Sequence, residues 1–150
     1  RSIASYALRW VGSHPNVKVV LSGMSSMGQL EDNLKTFGDF QPLNEKESAE
    51  IEDIVKELRS RVQNGCTGCR YCMPCPAGVD IPGNFKVWNN YHMYRTYSHV
   101  KNAWERDMKD EAKAKNCIKC GKCETLCPQK LSIRDNLVQV QKDLDGKIFA

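Results

Sequence analysis

The sequence predicts a mostly α-helical protein that begins with one helix–strand–helix unit. Through most of the chain, apolar residues recur at intervals of three and four, which is the spacing of an amphipathic helix. Only the VKVVL run, residues 17–21, has the short β-branched character of a buried strand. All eight cysteines fall in two runs, CTGCRYCMPC at residues 66–75 and CIKCGKCETLC at residues 117–127. We therefore expect an α/β unit at the start, followed by helices arranged around the cysteines.

Two helices flank the predicted strand. Residues 2–13 carry apolar side chains at helical spacing before the strand at residues 17–21. Residues 27–37 repeat the helical pattern after the strand, and Ser25 or Ser26 is the expected N-cap. Helix, strand, loop and helix in this order are typical of an α/β unit.

A longer helix over residues 44–64 is predicted to connect this unit to the cysteine-rich part. Asn44 and Glu47 have the spacing of a capping box, in which each side chain accepts a hydrogen bond from the other residue's backbone amide. The apolar side chains of the helix share one face, which we expect to pack, while its charged residues face solvent. That apolar face consists of Ile51, Ile54, Val55, Leu58 and Val62.

The segment between the two cysteine runs predicts two helices and no strand. The first begins at Asp80, with Pro82 in its first turn, and the second covers residues 100–112. We expect the aromatic side chains here to lie in the core, because aromatic residues dominate core burial. They are Phe85, Trp88, Tyr91, Tyr94, Tyr97 and Trp104.

A last helix is predicted after the second cysteine run. Ser132 and Asp135 are placed to cap its first turn. Its apolar residues again recur at helical spacing, so one face should be buried. That face consists of Ile133, Leu137, Val140 and Leu144.

The second cysteine run has the spacing C-x2-C-x2-C-x3-C-P, which is the bacterial arrangement of cysteines around iron-sulfur clusters. Three thiolates two residues apart on a tight turn bind three irons of one cubane. The fourth cysteine, which a proline follows, binds the cluster of the other run. Glycines beside the cysteines let the backbone approach the sulfur atoms, as at Gly68 and Gly121.

This exchange of fourth cysteines predicts two 4Fe-4S clusters with mixed ligand sets. The first run is one residue shorter than the usual pattern before its last cysteine, so the role of Cys75 is less firmly indicated than that of Cys127. One predicted ligand set is Cys66, Cys69, Cys72 and Cys127. The other is Cys117, Cys120, Cys123 and Cys75.

Zinc sites and disulfide bonds are the alternatives for eight cysteines. Four-cysteine zinc sites use two C-x2-C pairs separated by a longer stretch, which fits unbroken intervals of two poorly. Disulfides are typical of small secreted scaffolds, whereas this chain has no export signal and an ordinary globular composition. The spacing therefore favours iron-sulfur clusters over both alternatives.

Composition excludes several classes of function. The 150 residues carry a formal net charge of +4 with both signs interleaved, so no nucleic-acid-binding patch is indicated. No apolar run approaches the roughly 20 residues that span a bilayer. Eight reduced thiols predict a cytoplasmic protein. The chain begins at Arg1 inside a helical pattern, and we therefore expect a longer protein upstream.

The first part of the chain resembles a known family. The run ALRWVGSHPNVKVVLSGMSSMGQLEDNLKTF at residues 7–37 is similar to the end of an aldo/keto reductase barrel, with its seventh helix, eighth strand and final helix. The resemblance implies that the loop after the strand and the start of the next helix hold the adenosine and 2′-phosphate end of NADP, or bind NAD. A helix N-terminus with free amides is suited to phosphate. The residues so implicated are Gly23, Ser25, Gln29 and Asn33.

The family's catalytic tyrosine, lysine, aspartate and histidine come from earlier strands of the barrel, and no counterparts occur in this chain. A complete eight-stranded barrel typically takes about 250 residues. We therefore expect this chain to be part of an oxidoreductase without catalysing hydride transfer by itself. The rest of the barrel is its expected partner.

The second part resembles the α-helical ferredoxin fold of succinate dehydrogenase iron-sulfur subunits. CPAGVDIP at residues 75–82 and CPQKLSIRDNL at residues 127–137 extend the likeness to an iron-sulfur branch of aldo/keto reductase-like oxidoreductases. The predicted organisation is a barrel end at 1–40, a connector helix at 41–64 and a helical two-cluster domain at 65–150.

Two functions are compatible with this organisation. In the first, the clusters pass single electrons between the nicotinamide-dependent barrel and a redox partner, which is a protein or a flavin. In the second, the metal centres only hold together a helical docking domain, because metal binding commonly supplies the folding free energy of small domains. Reversible reduction of the centres would distinguish the first function from the second.

Overall fold

The computed structural model describes residues 2–95 and 97–145, which are mostly helical. These residues form seven α-helices, and none of them lies in a β-strand. The chain divides into two compact units, residues 1–57 and residues 58–150. The helices are α1 (Ile3–Gly12), α2 (Met27–Gly38), α3 (Glu45–Arg61), α4 (Ile81–Tyr94), α5 (Tyr97–Lys101), α6 (Lys122–Leu126) and α7 (Ile133–Leu144).

Serine side chains start the first two helices. Ser2 Oγ accepts a hydrogen bond from the amide of Ser5 at 3.0 Å, and Ser26 Oγ accepts one from the amide of Gln29 at 3.4 Å. Ser26 is therefore the N-cap of α2, which decides between the two serines that the sequence offered. Ser2 also donates to Asp32 at 2.5 Å and so links α1 to α2.

The predicted strand at residues 17–21 is wrong. This segment is not helical and forms no ladder, and the side chains of Val19 and Leu21 are 76% and 92% exposed. A strand needs a neighbour to receive its backbone hydrogen bonds, and the described chain contains no second strand that could pair with it. β-branched residues favour a strand, but they form one only where a second strand pairs with them. The described residues of the first unit therefore form no barrel strand.

A buried charge pair organises the first unit. Arg9 is 3% exposed, and its guanidinium donates to both carboxylate oxygens of Glu47, at 2.7 and 2.6 Å. It also donates to the carbonyls of Gln41 at 2.7 Å and Pro42 at 3.0 Å. The hydrogen bonds to Glu47 raise the pKa of Arg9. None of the buried apolar side chains lies among the described residues of the first unit, whereas this ion pair is largely buried there.

The capping box at the start of α3 is confirmed. The amide of Asn44 donates to Glu47 at 3.0 Å, and the amide of Glu47 donates to Asn44 Oδ1 at 2.9 Å. The packing predicted for the apolar face of α3 is wrong, because no residue of this helix is buried and Ile54 is 55% exposed. A face with helical spacing is buried only where another element covers it.

Helices α4 and α7 form the core of the second unit. The predicted face of α7 is fully buried and packs with Ile81 and Phe85 of α4. Trp88 is also buried, and its indole nitrogen donates to Asp143 at 2.8 Å. The aromatic prediction is wrong for Tyr94 and Tyr97, which are 61% and 51% exposed. They lie at the end of α4 and the start of α5, where the chain turns.

The second helix between the cysteine runs is shorter and less regular than predicted. After α5 the chain continues as a π-helix over Asn102–Asp107 and then makes two short 3-10 turns, Asp110–Ala112 and Ala114–Asn116. Val100 and Trp104 are buried, as the helical spacing requires.

A fully buried asparagine ties α4 to the approach of the second cysteine run. Asn84 Nδ2 donates to the carbonyls of Asp80 and Ala112, both at 2.8 Å. Its Oδ1 accepts from the amide of Ala114 at 2.8 Å. Because Asn84 bonds backbone groups of Ala112 and Ala114, which lie outside α4, it fixes the path of the chain toward Cys117.

Candidate metal centre

The first cysteine run is a loop whose start is held by two asparagines. Asn89 Oδ1 accepts from the amides of Gln63 and Asn64, each at 3.0 Å, and Asn89 Nδ2 donates to the carbonyl of Asn64 at 2.7 Å. Asn64 Oδ1 in turn accepts from the amide of Cys66 at 2.9 Å. Helix α4, which carries Asn89, thereby positions the first cysteine of the run.

The second cysteine run is held by an ion pair between α6 and α7. Glu124, beside Cys123, accepts from the amide of Arg134 at 2.9 Å and from its guanidinium at 2.9 and 2.7 Å. These hydrogen bonds lower the pKa of Glu124. The capping role predicted for the Ser132 side chain is wrong, since that side chain makes no capping hydrogen bond. Glu124 accepts from an amide of the first turn of α7 in its place.

Four thiols from both runs lie near one another at the first site. Burial raises the pKa of the Cys72 thiol, and the nearby thiols of Cys66, Cys69 and Cys127 raise it further. Cys127 belongs to the second run, so the fourth neighbour comes from the other end of the domain. This is the ligand set that the cysteine spacing predicted for one cluster.

The complementary four cysteines line one cavity. Cys75 of the first run lies there with Cys117, Cys120 and Cys123 of the second, and Cys72 reaches the same cavity. Burial, the Glu124 carboxylate and the Cys117 thiol raise the pKa of Cys123 to about 11. The shorter spacing before Cys75 therefore does not prevent it from reaching the second run. Pro76, Ile81, Ile118, Gly121, Arg134 and Leu137 also line the cavity.

All eight cysteines are free thiols and so are available as ligands. Within residues 2–95 and 97–145, no three His, Cys, Asp or Glu side chains come together as the ligands of one metal ion. In a 4Fe-4S cluster each thiolate binds a different iron, whereas the thiolates of a zinc site share one ion at about 2.3 Å.

A glycine in a left-handed conformation shapes the second run. Gly121 has φ of 80° where α6 begins, between Cys120 and Cys123. A Cβ there would meet nothing closer than Arg134, at 3.8 Å. The requirement for glycine is therefore conformational, because L-residues other than glycine rarely adopt this region.

Replacing this glycine tests that requirement. The Gly121→Ala chain should lose about 1 kcal/mol of unfolding free energy, since the left-handed conformation costs an L-residue roughly 1–2 kcal/mol. Anaerobic urea unfolding of the full chain, followed by far-UV circular dichroism, measures the loss. Gly65→Ala is the matched control, because Gly65 lacks a positive φ and a Cβ there would lie 3.9 Å from Leu131. Equal midpoints for the two variants would contradict the expectation.

Comparison with known families finds two matches, in different parts of the chain. Residues 65–131 match the 4Fe-4S dicluster domain, and residues 1–56 match the aldo/keto reductase family. The chain joins an aldo/keto reductase-like segment to an iron-sulfur domain. No curated protein and no solved structure matches the chain. In the part of the chain that the structure describes, every helix is too short or too polar to span a bilayer.

The residues that the reductase resemblance assigns to a nucleotide lie at the exposed start of α2. Gln29 Oε1 accepts from the amide of Ser25 at 2.7 Å, and Asn33 Nδ2 donates to Ser22 Oγ at 2.8 Å. A Cβ at Gly23 would meet no atom within 4 Å. The side chains of Gln29 and Asn33 thus join α2 to the loop before it, while the space beside Gly23 is open.

Sequence reasoning missed the asparagines that support the iron-sulfur domain. An asparagine shortly before a cysteine is a recognisable turn signal, because its side chain readily accepts a hydrogen bond from the amide two residues later. Asn64 had this signal. Asn84 and Asn89 had none, since a polar residue within a helix is ordinarily assigned to solvent.

Proposed function

We propose that the second unit is an electron-transfer module that holds two 4Fe-4S clusters, one on Cys66, Cys69, Cys72 and Cys127 and the other on Cys117, Cys120, Cys123 and Cys75. The grouping of thiols from both runs at each site carries this proposal. When bound, each cluster accepts and releases one electron. The thiols supply the ligands as thiolates, so cluster binding releases their protons.

The exposure of the cysteines indicates at which surface the domain would exchange electrons with a partner. Cys69 and Cys120 are exposed, whereas Cys123 is buried against the core. Electron transfer therefore involves the edges marked by Cys69 and Cys120, where a partner can approach closely. The core side, formed by α4 and α7, excludes water from the remaining ligands.

Charges beside the second run support an acidic redox partner. A groove at Cys117 is lined by Lys115, Lys119, Arg134 and Lys142, with Asp145 as its one acidic residue. Such a surface favours encounter with a negatively charged protein and excludes other cationic surfaces. The proposed partner is an acidic one-electron carrier, or a flavin that converts single electrons into hydride.

The first unit supports a link to a nicotinamide-dependent reductase barrel. Its resemblance to the barrel end assigns Gly23, Ser25, Gln29 and Asn33 to the nucleotide, which is NADP or NAD. Exposed apolar side chains, including Val19 and Leu21, are suited to be covered by the rest of a barrel. In this arrangement the barrel carries out hydride transfer and the clusters carry single electrons.

Anaerobic iron and sulfide analysis tests the proposal, with visible and EPR spectra recorded before and after dithionite. The purified chain should contain about eight irons and eight sulfides, and its clusters should be reduced reversibly without loss of helix. The alternative is a structural domain held by metal without redox turnover. Bound zinc without sulfide, or clusters that dithionite cannot reduce, would establish that alternative and refute electron transfer.

A further inference from the structure

An unused hydrogen-bond donor lies at the start of the first cysteine run. Asn64 is 4% exposed, and its side-chain nitrogen Nδ2 has no hydrogen-bond partner among the described residues. Leaving a buried donor without an acceptor costs about 1–3 kcal/mol. Such groups are rare in folded proteins, and a redox role or a bound ion or water commonly accounts for them.

The orientation of the Asn64 amide is fixed by its neighbour. Its Oδ1 faces the backbone amide of Cys66 at 2.9 Å, and because that amide can only donate, the atom facing it must be the oxygen. Nδ2 is bonded to the same carbon as Oδ1, so the free N–H group also lies beside Cys66. Asn89 holds the backbone of Asn64 through both its amide and its carbonyl, which fixes the point from which the side chain extends.

One other buried side-chain atom lacks a hydrogen-bond partner in the described chain, and it has a different explanation. Asp80 Oδ1 lies 3.4 Å from a guanidinium nitrogen of Arg70, so an opposite charge faces it. Asn64 Nδ2 has no such neighbour. An acceptor that binds beside Cys66 would satisfy it.

We propose that Asn64 Nδ2 donates a hydrogen bond to a sulfur of the cluster bound by Cys66, and that it raises the reduction potential of this cluster. The inference rests on the proposed function. Reduction adds one electron, and with it one negative charge, so an N–H donor binds the reduced form more strongly than the oxidised form. Asn64 thus has two roles, positioning Cys66 through its oxygen and setting the potential through its nitrogen.

The Asn64→Ser variant separates these roles. A serine hydroxyl can still accept from the Cys66 amide, as in an ST-turn, but the carboxamide donor is gone. The equilibrium constant for one-electron reduction of this cluster should fall about tenfold, a shift of about 59 mV to lower potential. An anaerobic titration followed by EPR measures both clusters, and the second should keep its wild-type potential.

Asn116→Ser is the matched control at the second run. Asn116 directly precedes Cys117, but its Nδ2 already donates to the carbonyl of Asp110 at 2.7 Å. Its replacement should leave both potentials unchanged. An Asn64→Ser chain with full iron and sulfide content and two wild-type potentials would overturn the proposal.

A second measurement covers the case in which Asn64→Ser fails to assemble. The wild-type chain, labelled with 15N in its asparagine side chains, should show 15N hyperfine coupling to the reduced cluster in pulsed EPR. Asn64→Asp keeps the acceptor for Cys66, lacks the label and should lose the coupling. If the wild-type chain holds clusters but shows no such coupling, the role of Asn64 is refuted and the proposed function still stands. A wild-type chain without iron and sulfide refutes the proposed function itself.

Discussion

A Cys127→Ser chain should lose or degrade the cluster held by Cys66, Cys69 and Cys72. These cysteines are far from Cys127 in sequence, because Cys127 lies in the other run. The Cys127 thiol is a neighbour of Cys72, and the cavity of the second run is lined by Cys75 in its place. Iron and sulfide should fall from about eight of each to about four, or to a three-iron form at the damaged site. EPR of the dithionite-reduced chain identifies the surviving cluster.

Cys75→Ser is the matched control for this exchange, since it should damage the other cluster. The two variants should therefore leave different EPR spectra, each retaining the signal that the other lacks. Damage to the cluster of Cys117, Cys120 and Cys123 in the Cys127→Ser chain would refute the exchanged wiring.

Asn84→Leu should destabilise the second unit by about 3 kcal/mol. The carbonyls of Asp80 and Ala112 each keep one other hydrogen bond, from the amides of Asn84 and Asp80, but the amide of Ala114 loses its acceptor inside the protein. One orphaned buried donor costs about 1–3 kcal/mol, and each lost hydrogen bond adds about 0.5–1.5 kcal/mol. Leucine has the same branched skeleton as asparagine but bulkier methyl groups, so overpacking at this buried position adds to the loss.

Anaerobic urea unfolding of the full chain, followed by its helical circular dichroism, measures this loss. Asn102→Leu serves as the control, because Asn102 is exposed and surface changes are usually within about 0.5 kcal/mol. A midpoint for Asn84→Leu that coincides with the control would show that Asn84 does not hold the segment before Cys117.

The parts of the fold that sequence predicted are those in which a local pattern meets a partner that the chain itself provides. The face of α7 is buried because α4 lies against it, and the capping box of Asn44 and Glu47 needs only neighbouring residues. The strand at residues 17–21 and the apolar face of α3 have equally clear patterns but no cover in the described chain. The spacing of apolar residues shows which face of an element is apolar, but it does not show which other element packs against that face.

In the candidate site, too, the local pattern was predictable from sequence and the long-range contacts were not. Cysteine spacing indicated which thiols would be grouped, because ligation of a cubane restricts how far apart the cysteines can be, and the two ligand sets stay a prediction. The contacts that hold the runs in place depend on residues distant in sequence, as when Asn89 fixes Asn64 or Arg134 binds Glu124. No local pattern encodes such contacts.

The proposed exchange of cysteines between the runs would also make the two sites nested loops. Joining Cys75 to the second run closes an inner loop, and joining Cys127 to the first closes an outer loop around it. Once the inner loop is closed, the outer ends are separated by only a few residues on each side, so little further chain entropy is lost. Binding of a cluster at the inner site therefore lowers the entropic cost of binding the second cluster at the outer site. A chain carrying a single cluster should be a minor species during assembly, and the domain should change between empty and filled states with few intermediates.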